Sequence, residues 1–128
     1  MDKPKPSTLS PELLAALQAA VDADHVFPTL GRTPVANVVT DVSERGFLVQ
    51  TAKAQAQDGG TPQHVPAWML QVAWDFLITN GQLTNKHLLN VLRVMRSSAV
   101  CAVLARLPGV QVDPGPGITL RYQGSKAP

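Results

Sequence analysis

A strongly apolar segment in the middle of the chain, bounded by two helix-boundary signals, constrains the fold more than any other feature. It opens at Pro66, because proline suits the start of a helix, and closes at Asn80-Gly81, whose glycine can adopt the left-handed conformation just past a helix end. Between these limits apolar residues lie on nearly all sides, with only Gln71, Asp75 and Thr79 as polar breaks. A helix of this kind has to be contacted from several directions. We therefore predict that it is the central element of the core.

Two further helices and a hairpin are predicted after this segment. Thr84 can cap a second helix, and Leu83 and Leu88 are spaced for a hydrophobic staple across that cap. A third helix restarts at Ser97 or Ser98 and stops at Pro108-Gly109, after which polarity alternates on both sides of the turn at residues 113–117. The residues expected on the buried faces are Leu88, Val91, Leu92 and Met95 in the second helix, Val100, Val103, Leu104 and Leu107 in the third, and Val110, Val112, Ile118, Leu120 and Tyr122 in the hairpin.

The first half of the chain is predicted to hold one helix and a small antiparallel sheet. A helix starts at Ser10-Pro11-Glu12 and is expected to end near Asp24, with its apolar face formed by Leu13, Leu14, Leu17 and Val21. From residue 33 to residue 53 the apolar period changes to two, which predicts two strands joined by the turn Ser43–Gly46. Residues 52–62 are expected to form a flexible loop, and His64-Val65 a short third strand.

Together these elements predict an α+β fold: an N-terminal helix and a small β-hairpin or sheet, followed by a winged-helix-like unit of three helices with a C-terminal β-hairpin. The 128 residues are enough for a single domain. We place it at residues 10–123, with the helix and hairpin in residues 10–65 and the winged-helix-like unit in residues 66–123. Residues 1–9 and 124–128 are expected to be disordered tails, because Pro4 and Pro6 interrupt regular structure in the first and the second is poor in apolar groups.

The chain is expected to work in a reducing compartment, with the cytoplasm as the default. Its single cysteine, Cys101, excludes an intramolecular disulfide and a zinc site built on several thiolates. No segment has the apolar length of a signal peptide or of a membrane span. We therefore expect no contact with a membrane.

Charge is distributed unevenly between the two halves of the chain. Residues 84–128 carry six basic side chains against the single acid Asp113, a net charge of +5, whereas residues 1–83 carry five bases against eight acids, a net charge of −3. A basic half that contains the third helix of a winged-helix-like unit is what binding to nucleic-acid phosphates requires. The hypothesis is a non-catalytic module that binds or associates with double-stranded DNA.

Six residues are the candidate contacts with nucleic acid. In a winged helix the third helix can enter a major groove and the hairpin lies beside it. Arg93, Arg96, Ser97 and Ser98 cluster at the start of that helix, where the helix dipole and free N–H groups favour a phosphate. Of these, Arg96 is placed best to reach a guanine edge. Arg121 on the hairpin could touch the backbone or the minor groove, and Lys86 completes the set.

A protein-interaction adaptor or dimerisation module is the alternative. After Ser98 the third helix offers short apolar side chains on its predicted non-core sides, and these cannot form hydrogen bonds with base edges: Ala99, Cys101, Ala102 and Ala105. This alanine-rich face, or the amphipathic helix from Pro11 to Ala23, would then dock on a partner protein or on a second copy. Asp113 at the hairpin tip also disfavours phosphate binding.

Four short runs carry a resemblance to a known kind of domain. They are Val65-Pro66, Gly81-Gln82-Leu83-Thr84, Arg96-Ser97-Ser98-Ala99-Val100 and Leu104-Ala105-Arg106-Leu107-Pro108-Gly109-Val110. With them, residues 33–120 resemble a bacterial winged-helix-like domain associated with restriction-type and other DNA-defence proteins. The nuclease domain that can accompany such modules has no counterpart in this sequence. The resemblance therefore implies association with DNA in a prokaryotic regulatory or defence system, without cleavage.

Nothing in the sequence favours an enzyme. His25, His64 and His87 lie on three separate predicted elements, and none has a histidine or carboxylate at i+3 or i+4 that would indicate a metal site. Cys101 lies in an Ala/Val-rich helix, which is typical of a small buried hydrophobe. Neither of the two glycine clusters has the strand–loop–helix context of a phosphate-binding loop. We expect no catalytic residue, metal, cofactor or small-molecule substrate.

Overall fold

The computed structural model describes residues 8–28, 36–51, 62–94, 97–113 and 118–123, which form an α+β fold with two antiparallel sheets. The helices are α1 (Pro11–Ala23), α2 (Ala67–Asn80) and α3 (Ser97–Leu104), and a π-helical segment spans His87–Val91. The strands are β1 (Val26–Pro28), β2 (Ala36–Ser43), β3 (Gly46–Thr51), β4 (Gln63–Pro66), β5 (Gln82–Thr84), β6 (Val110–Val112) and β7 (Thr119–Tyr122).

The first sheet is an antiparallel meander in the order β1-β2-β3-β4. Its turn between β2 and β3 depends on Gly46, which has φ +129° and lies so close to β4 that an added Cβ would be 2.0 Å from the Val65 carbonyl oxygen. Phe47 and Val65 are paired across β3 and β4, and both are completely buried with Phe27 of β1. One face of this sheet therefore packs against the hydrophobic core.

α1 is amphipathic and packs its apolar face into that core. Ser10 caps it, because its hydroxyl oxygen accepts a hydrogen bond from the Leu13 N–H at 3.3 Å, and Pro11 occupies the first turn. Leu13, Leu17 and Val21 are buried, whereas Leu14 is half-buried. The predicted helix, its cap and its end are thus confirmed.

A buried glutamine joins the start of α1 to α2. The side-chain oxygen of Gln71 accepts from the Ser10 N–H at 2.7 Å, and its amide nitrogen donates to the Asp75 carboxylate at 2.9 Å. The neighbouring Leu9 N–H donates to the Glu44 carbonyl oxygen at 2.7 Å. The polar break at position 71 is therefore a hydrogen-bonded core residue that fixes where α1 begins.

α2 is the central helix, as its all-round apolar character predicts. It contacts β3, β4, β5, β7 and α3. The edge of one of its tryptophans, Trp74, meets Tyr122 of β7 with 5.4 Å between the ring centroids. Its Met69, Leu70, Ala73 and Leu77 are buried. Gly81 ends it in the left-handed conformation, with φ +78°.

The second sheet joins the C-terminal hairpin to a strand just after α2, in the order β5-β7-β6. Leu83 of β5 pairs with Leu120 of β7, and both are completely buried. The prediction of one buried hairpin face is wrong at Val112, which is 44% exposed because β6 is a short edge strand. The rest of that face is Leu120 with the half-buried Val110, Ile118 and Tyr122.

Arg106, just after α3, ties the C-terminal part of the chain to the N-terminal part. Its guanidinium donates to the carbonyl oxygens of Asp24 at 2.7 Å, Val26 at 3.1 Å and Ala20 at 3.1 Å. It also lies over the ring of Phe27, 4.2 Å from the centroid. The positive charge thus satisfies carbonyl groups at the C-terminal end of α1, where the helix dipole favours a cation.

The other predicted elements differ in how well they agree with the structure. The strands around the turn at Gly46, the strand at His64-Val65 and the helix starting at Ser97 are confirmed. β1 and β5 were not foreseen. Most of the predicted loop at residues 52–62 and of both tails lies outside the described residues. In the described ranges no helix has the length and apolar character needed to cross a membrane.

Candidate functional site

The chain between β5 and α3 begins with a reciprocal cap. The Thr84 hydroxyl accepts from the His87 N–H at 3.2 Å, and Nδ1 of His87 accepts from the Thr84 N–H at 3.1 Å. The His87 ring also lies 4.9 Å from that of Phe76, measured between centroids, which attaches this cap to α2. Thr84 is therefore the predicted cap, and His87 takes the place of the glutamate or glutamine of a capping box.

The helix after this cap is a π-helical segment and not the predicted α-helix. The Leu92 N–H donates to the carbonyl oxygen of His87, five residues earlier, at 2.9 Å. The wider turn keeps Leu88 buried and Leu92 half-buried but turns Val91 outward, where it is 60% exposed. The predicted buried face is thus wrong at Val91, and Met95 lies outside the described residues.

Arg93 ends this segment in a conformation that non-glycine residues seldom adopt. Its φ is +57°, and the next N–H, that of Val94, donates back to the Leu88 carbonyl oxygen at 2.8 Å. The left-handed conformation costs a non-glycine residue about 1–2 kcal/mol. Strain of this kind is found preferentially at functional sites. The Arg93 side chain is exposed.

Lys86 and Arg93 therefore flank the π-helical segment, and both are exposed, as are Leu89, Asn90 and Val91 between them. We call these five residues the π-segment surface. Leu89 is 50% and Val91 60% exposed, which is unusual for large aliphatic side chains so close together.

The chain around the π-segment surface carries basic side chains and no acidic ones. The sequence contains no aspartate or glutamate between Asp75 and Asp113. Within the part of the chain that the structure describes, the one ion pair joins Arg121 to Asp113. Lys86 and Arg93 thus keep their charges without a carboxylate partner there.

α3 is buried to an extent that the sequence did not indicate. Val100, Cys101, Ala102, Val103 and Leu104 are each at most 2% exposed, and the flanking Ala99 and Ala105 are half-buried against the core. The prediction that Cys101 and Ala102 lie on a free, non-core side is therefore wrong. α3 packs against α2 and β1, and its side chains from Val100 to Leu104 belong to the hydrophobic core cluster.

The predicted contact residues that the structure describes lie on different parts of the fold. Lys86 and Arg93 share the π-segment surface. Ser97 and Ser98 form the first turn of α3, but their side chains and all of Arg96 lie outside the described residues. Arg121 on β7 donates from Nε to the Asp113 carboxylate, so its charge is compensated on the hairpin itself.

Sequence reasoning also misassigned one charge. Arg106 was counted with the basic half, yet it binds carbonyl groups of α1 and β1 and is not free for a phosphate. Its carbonyl partners lie 80 to 86 residues away along the chain, so no local pattern identifies its role. The basic half is therefore less available to a ligand than its net charge implies.

Cys101 has the environment of a structural residue. It is 1% exposed, and burial raises the pKa of its thiol from 9.0 to about 12. The nucleophilic thiolate is thus strongly disfavoured at neutral pH. Among the described residues, no three His, Cys, Asp or Glu side chains are grouped so that they could hold a metal ion.

Comparison with known proteins adds no relative. No family model matches the chain, and no characterised protein or solved structure is significantly similar to it. The resemblance to a DNA-defence domain therefore stays a prediction.

Proposed function

We propose that the chain is a non-catalytic, winged-helix-like module that binds double-stranded DNA, with Lys86 and Arg93 contacting phosphates beside the start of α3. The finer fold assignment rests on the order of elements from α2 to β7. The order is α2, the short strand β5, the π-helical segment, α3 and the hairpin of β6 and β7. β5 pairs with this hairpin in the sheet β5-β7-β6. This arrangement is the one expected of a winged helix.

The observation that carries the functional proposal is the pair of exposed cations on the π-segment surface. Lys86 and Arg93 lie at its two ends, in a stretch of sequence from residue 76 to residue 112 without any acid. DNA presents a dense row of phosphates, and neutralising them supplies the sequence-independent part of binding. A lysine acts on a phosphate as a point charge, whereas an arginine can bind two of its oxygens.

Strain at Arg93 supports a role for this side chain. A glycine at position 93 would adopt the left-handed backbone conformation of Arg93 at little cost. An arginine in that position places a long cation at the outer end of the segment, next to the connection into α3. The resemblance to domains of DNA-defence systems and a cytoplasmic location, both expected from the sequence, agree with the proposal.

Fluorescence anisotropy with a labelled duplex tests it at low and at moderate salt. We expect weak binding, with Kd of about 10⁻⁴ to 10⁻⁶ M at physiological salt. Lys86→Gln and Arg93→Gln should each weaken binding and reduce the salt slope by about one. No binding at low salt, or variants that bind as the unaltered chain does, would remove the proposal.

Arg45→Gln is the matched control, since it removes one exposed positive charge from the acidic half. Arg45 lies in the turn between β2 and β3, and its carbonyl oxygen accepts from the Ala67 N–H at the start of α2. His87 contacts Phe76, which lies near the C-terminal end of α2, so the π-segment surface is close to that end and not to the end near Arg45. The helix is about 20 Å long. The control should bind DNA as the unaltered chain does.

A protein-interaction module is the second candidate, favoured by the exposed Leu89 and Val91. The two docking faces expected from the sequence are both occupied within the chain: α1 buries its apolar face, and α3 is enclosed. Among the described large aliphatic side chains, Leu89 and Val91 are the most exposed, so we assign an apolar contact to the π-segment surface. Light scattering after size exclusion tests it. A dimer that the double substitution Leu89→Ser and Val91→Ser converts to monomer, and that the control Val26→Ser leaves intact, would favour this candidate.

A further inference from the structure

The burial of α3 bears on how the module could recognise DNA. A helix that reads sequence has to lie in the major groove and present polar side chains to base edges. Residues 100–104 of α3 are all buried within the protein, and their side chains are Val, Cys, Ala, Val and Leu. The body of this helix therefore offers neither the free surface nor the hydrogen-bonding groups that base readout requires.

The other exposed groups that the structure describes near α3 do not replace it. The π-segment surface carries two cations and one amide, that of Asn90, beside the aliphatic Leu89 and Val91. On the hairpin, Arg121 is held by Asp113. Lys86 and Arg93 are suited to phosphates, and at most one bidentate base contact could come from Arg93.

We propose that the module holds duplex DNA through its phosphates and does not select a base sequence, an inference that rests on the DNA-binding function proposed above. The phosphate-binding surface is then the π-segment surface and not α3. α3 acts as a core element, and the completely buried Val94 and Val100 anchor the two sides of its connection to the π-helical segment in the core.

The number of cations that contact phosphates determines how strongly the affinity for DNA depends on salt concentration. Each phosphate neutralised contributes about −0.9 to the slope of log K against log salt concentration. Two cations, Lys86 and Arg93, give a slope of about −2, and a contribution from Arg96 would raise its magnitude to about 3. A protein that reads a specific site makes many more contacts and has a much steeper slope.

The test is an anisotropy titration of the full chain with three duplexes of equal length and unrelated sequence, one rich in A·T, one rich in G·C and one mixed, over a series of salt concentrations. We expect dissociation constants that agree within about threefold and a slope between about −2 and −3. Lys86→Gln and Arg93→Gln should weaken binding to all three duplexes equally, whereas Arg45→Gln should not.

A duplex bound tenfold or more tightly than the others would overturn the inference and leave the proposed function standing. Equal binding to all three duplexes that Lys86→Gln and Arg93→Gln leave unchanged in both strength and slope would overturn the proposed function and the inference with it, because another surface would then hold the phosphates. Absence of binding to every duplex at the lowest salt would also overturn the proposed function itself. The two failures are therefore distinguishable in one experiment.

Discussion

Replacing Gly46 or Gly81 by alanine separates two costs of adding a Cβ, which are backbone strain at positive φ and steric collision with neighbouring atoms. Both have positive φ, but an added Cβ at Gly46 would collide with the Val65 carbonyl oxygen, whereas nothing lies within 4 Å of one at Gly81. We expect Gly81→Ala to lower the free energy of unfolding by about 1 kcal/mol, the cost of the left-handed conformation alone. Gly46→Ala should cost at least about 2 kcal/mol, since backbone strain and collision add.

Urea denaturation of the two variants makes this comparison. Equal losses of stability in both would show that β4 does not approach Gly46 as closely as described. Both glycines were identified from sequence, because a turn and a helix end are local features that a few neighbouring residues define.

Arg106 is the residue whose role the sequence concealed. Arg106→Ala removes hydrogen bonds to three carbonyl oxygens and the contact with Phe27, and should lower the free energy of unfolding by about 2 kcal/mol. Arg106→Lys should recover less than half of this, because an ammonium cannot span the same carbonyl groups. DNA binding by the folded variants should be unchanged. A chemical denaturation curve for each variant checks this, and full stability of Arg106→Lys would contradict it.

Cys101 gives a prediction about pH. Burial raises its pKa from 9.0 to about 12, so the folded state keeps the thiol protonated after the unfolded state has begun to lose the proton. The stabilising contribution is complete below pH 9 and is lost as pH rises above it. Between pH 9 and pH 10 the free energy of unfolding should fall by up to about 1.4 kcal/mol.

Urea denaturation at these two pH values, with Cys101→Ala alongside, isolates the effect of the thiol. The variant should lack this part of the alkaline loss. An equal loss in both proteins would show that other groups cause it.

At the scale of elements, the structure agrees with the sequence where capping residues fix a helix end and departs from it where tertiary contacts decide. Ser10, Thr84 and Gly81 act as predicted because each cap satisfies backbone groups within a few residues. The π-helical winding after Thr84 was not foreseeable. The segment begins at His87, whose ring contacts Phe76 of α2, and no periodicity within the segment encodes such a tertiary contact.

Arg93→Gly separates the two consequences of the residue at the end of this segment. Glycine relieves the left-handed strain, which outweighs its greater loss of backbone entropy, so the variant should be more stable by roughly 0.5–1 kcal/mol. It also removes a proposed phosphate contact, so DNA binding should weaken and the salt slope should fall by about one. Thermal unfolding and anisotropy measure the two effects.

Arg93→Gln is the comparison, because it removes the charge and keeps the strain. It should lose binding without gaining stability. A less stable Arg93→Gly, or one that binds DNA as before, would contradict the role assigned to this residue.

At the scale of the whole molecule, sequence reasoning predicted the α+β class and the central helix but not how the charges are used. The sheet order β5-β7-β6 was missed because Gln82–Thr84 is too short to show alternation, and it pairs with residues 119–122 far along the chain. The net charge of the basic half suggested a broad electrostatic surface. Arg106 binds carbonyl groups and the exposed Arg121 is paired with Asp113, so among the described basic side chains of that half Lys86 and Arg93 have no carboxylate partner.

Mapping amide chemical shifts by NMR during titration with a duplex would locate the proposed DNA contact on the chain. For a chain of 128 residues such spectra are readily assigned. We expect the shifts to concentrate at residues 85–94 and at the first turn of α3, while β1–β4 and α1 stay unchanged. Shifts confined to the first sheet or to α1, or none at low salt, would contradict it.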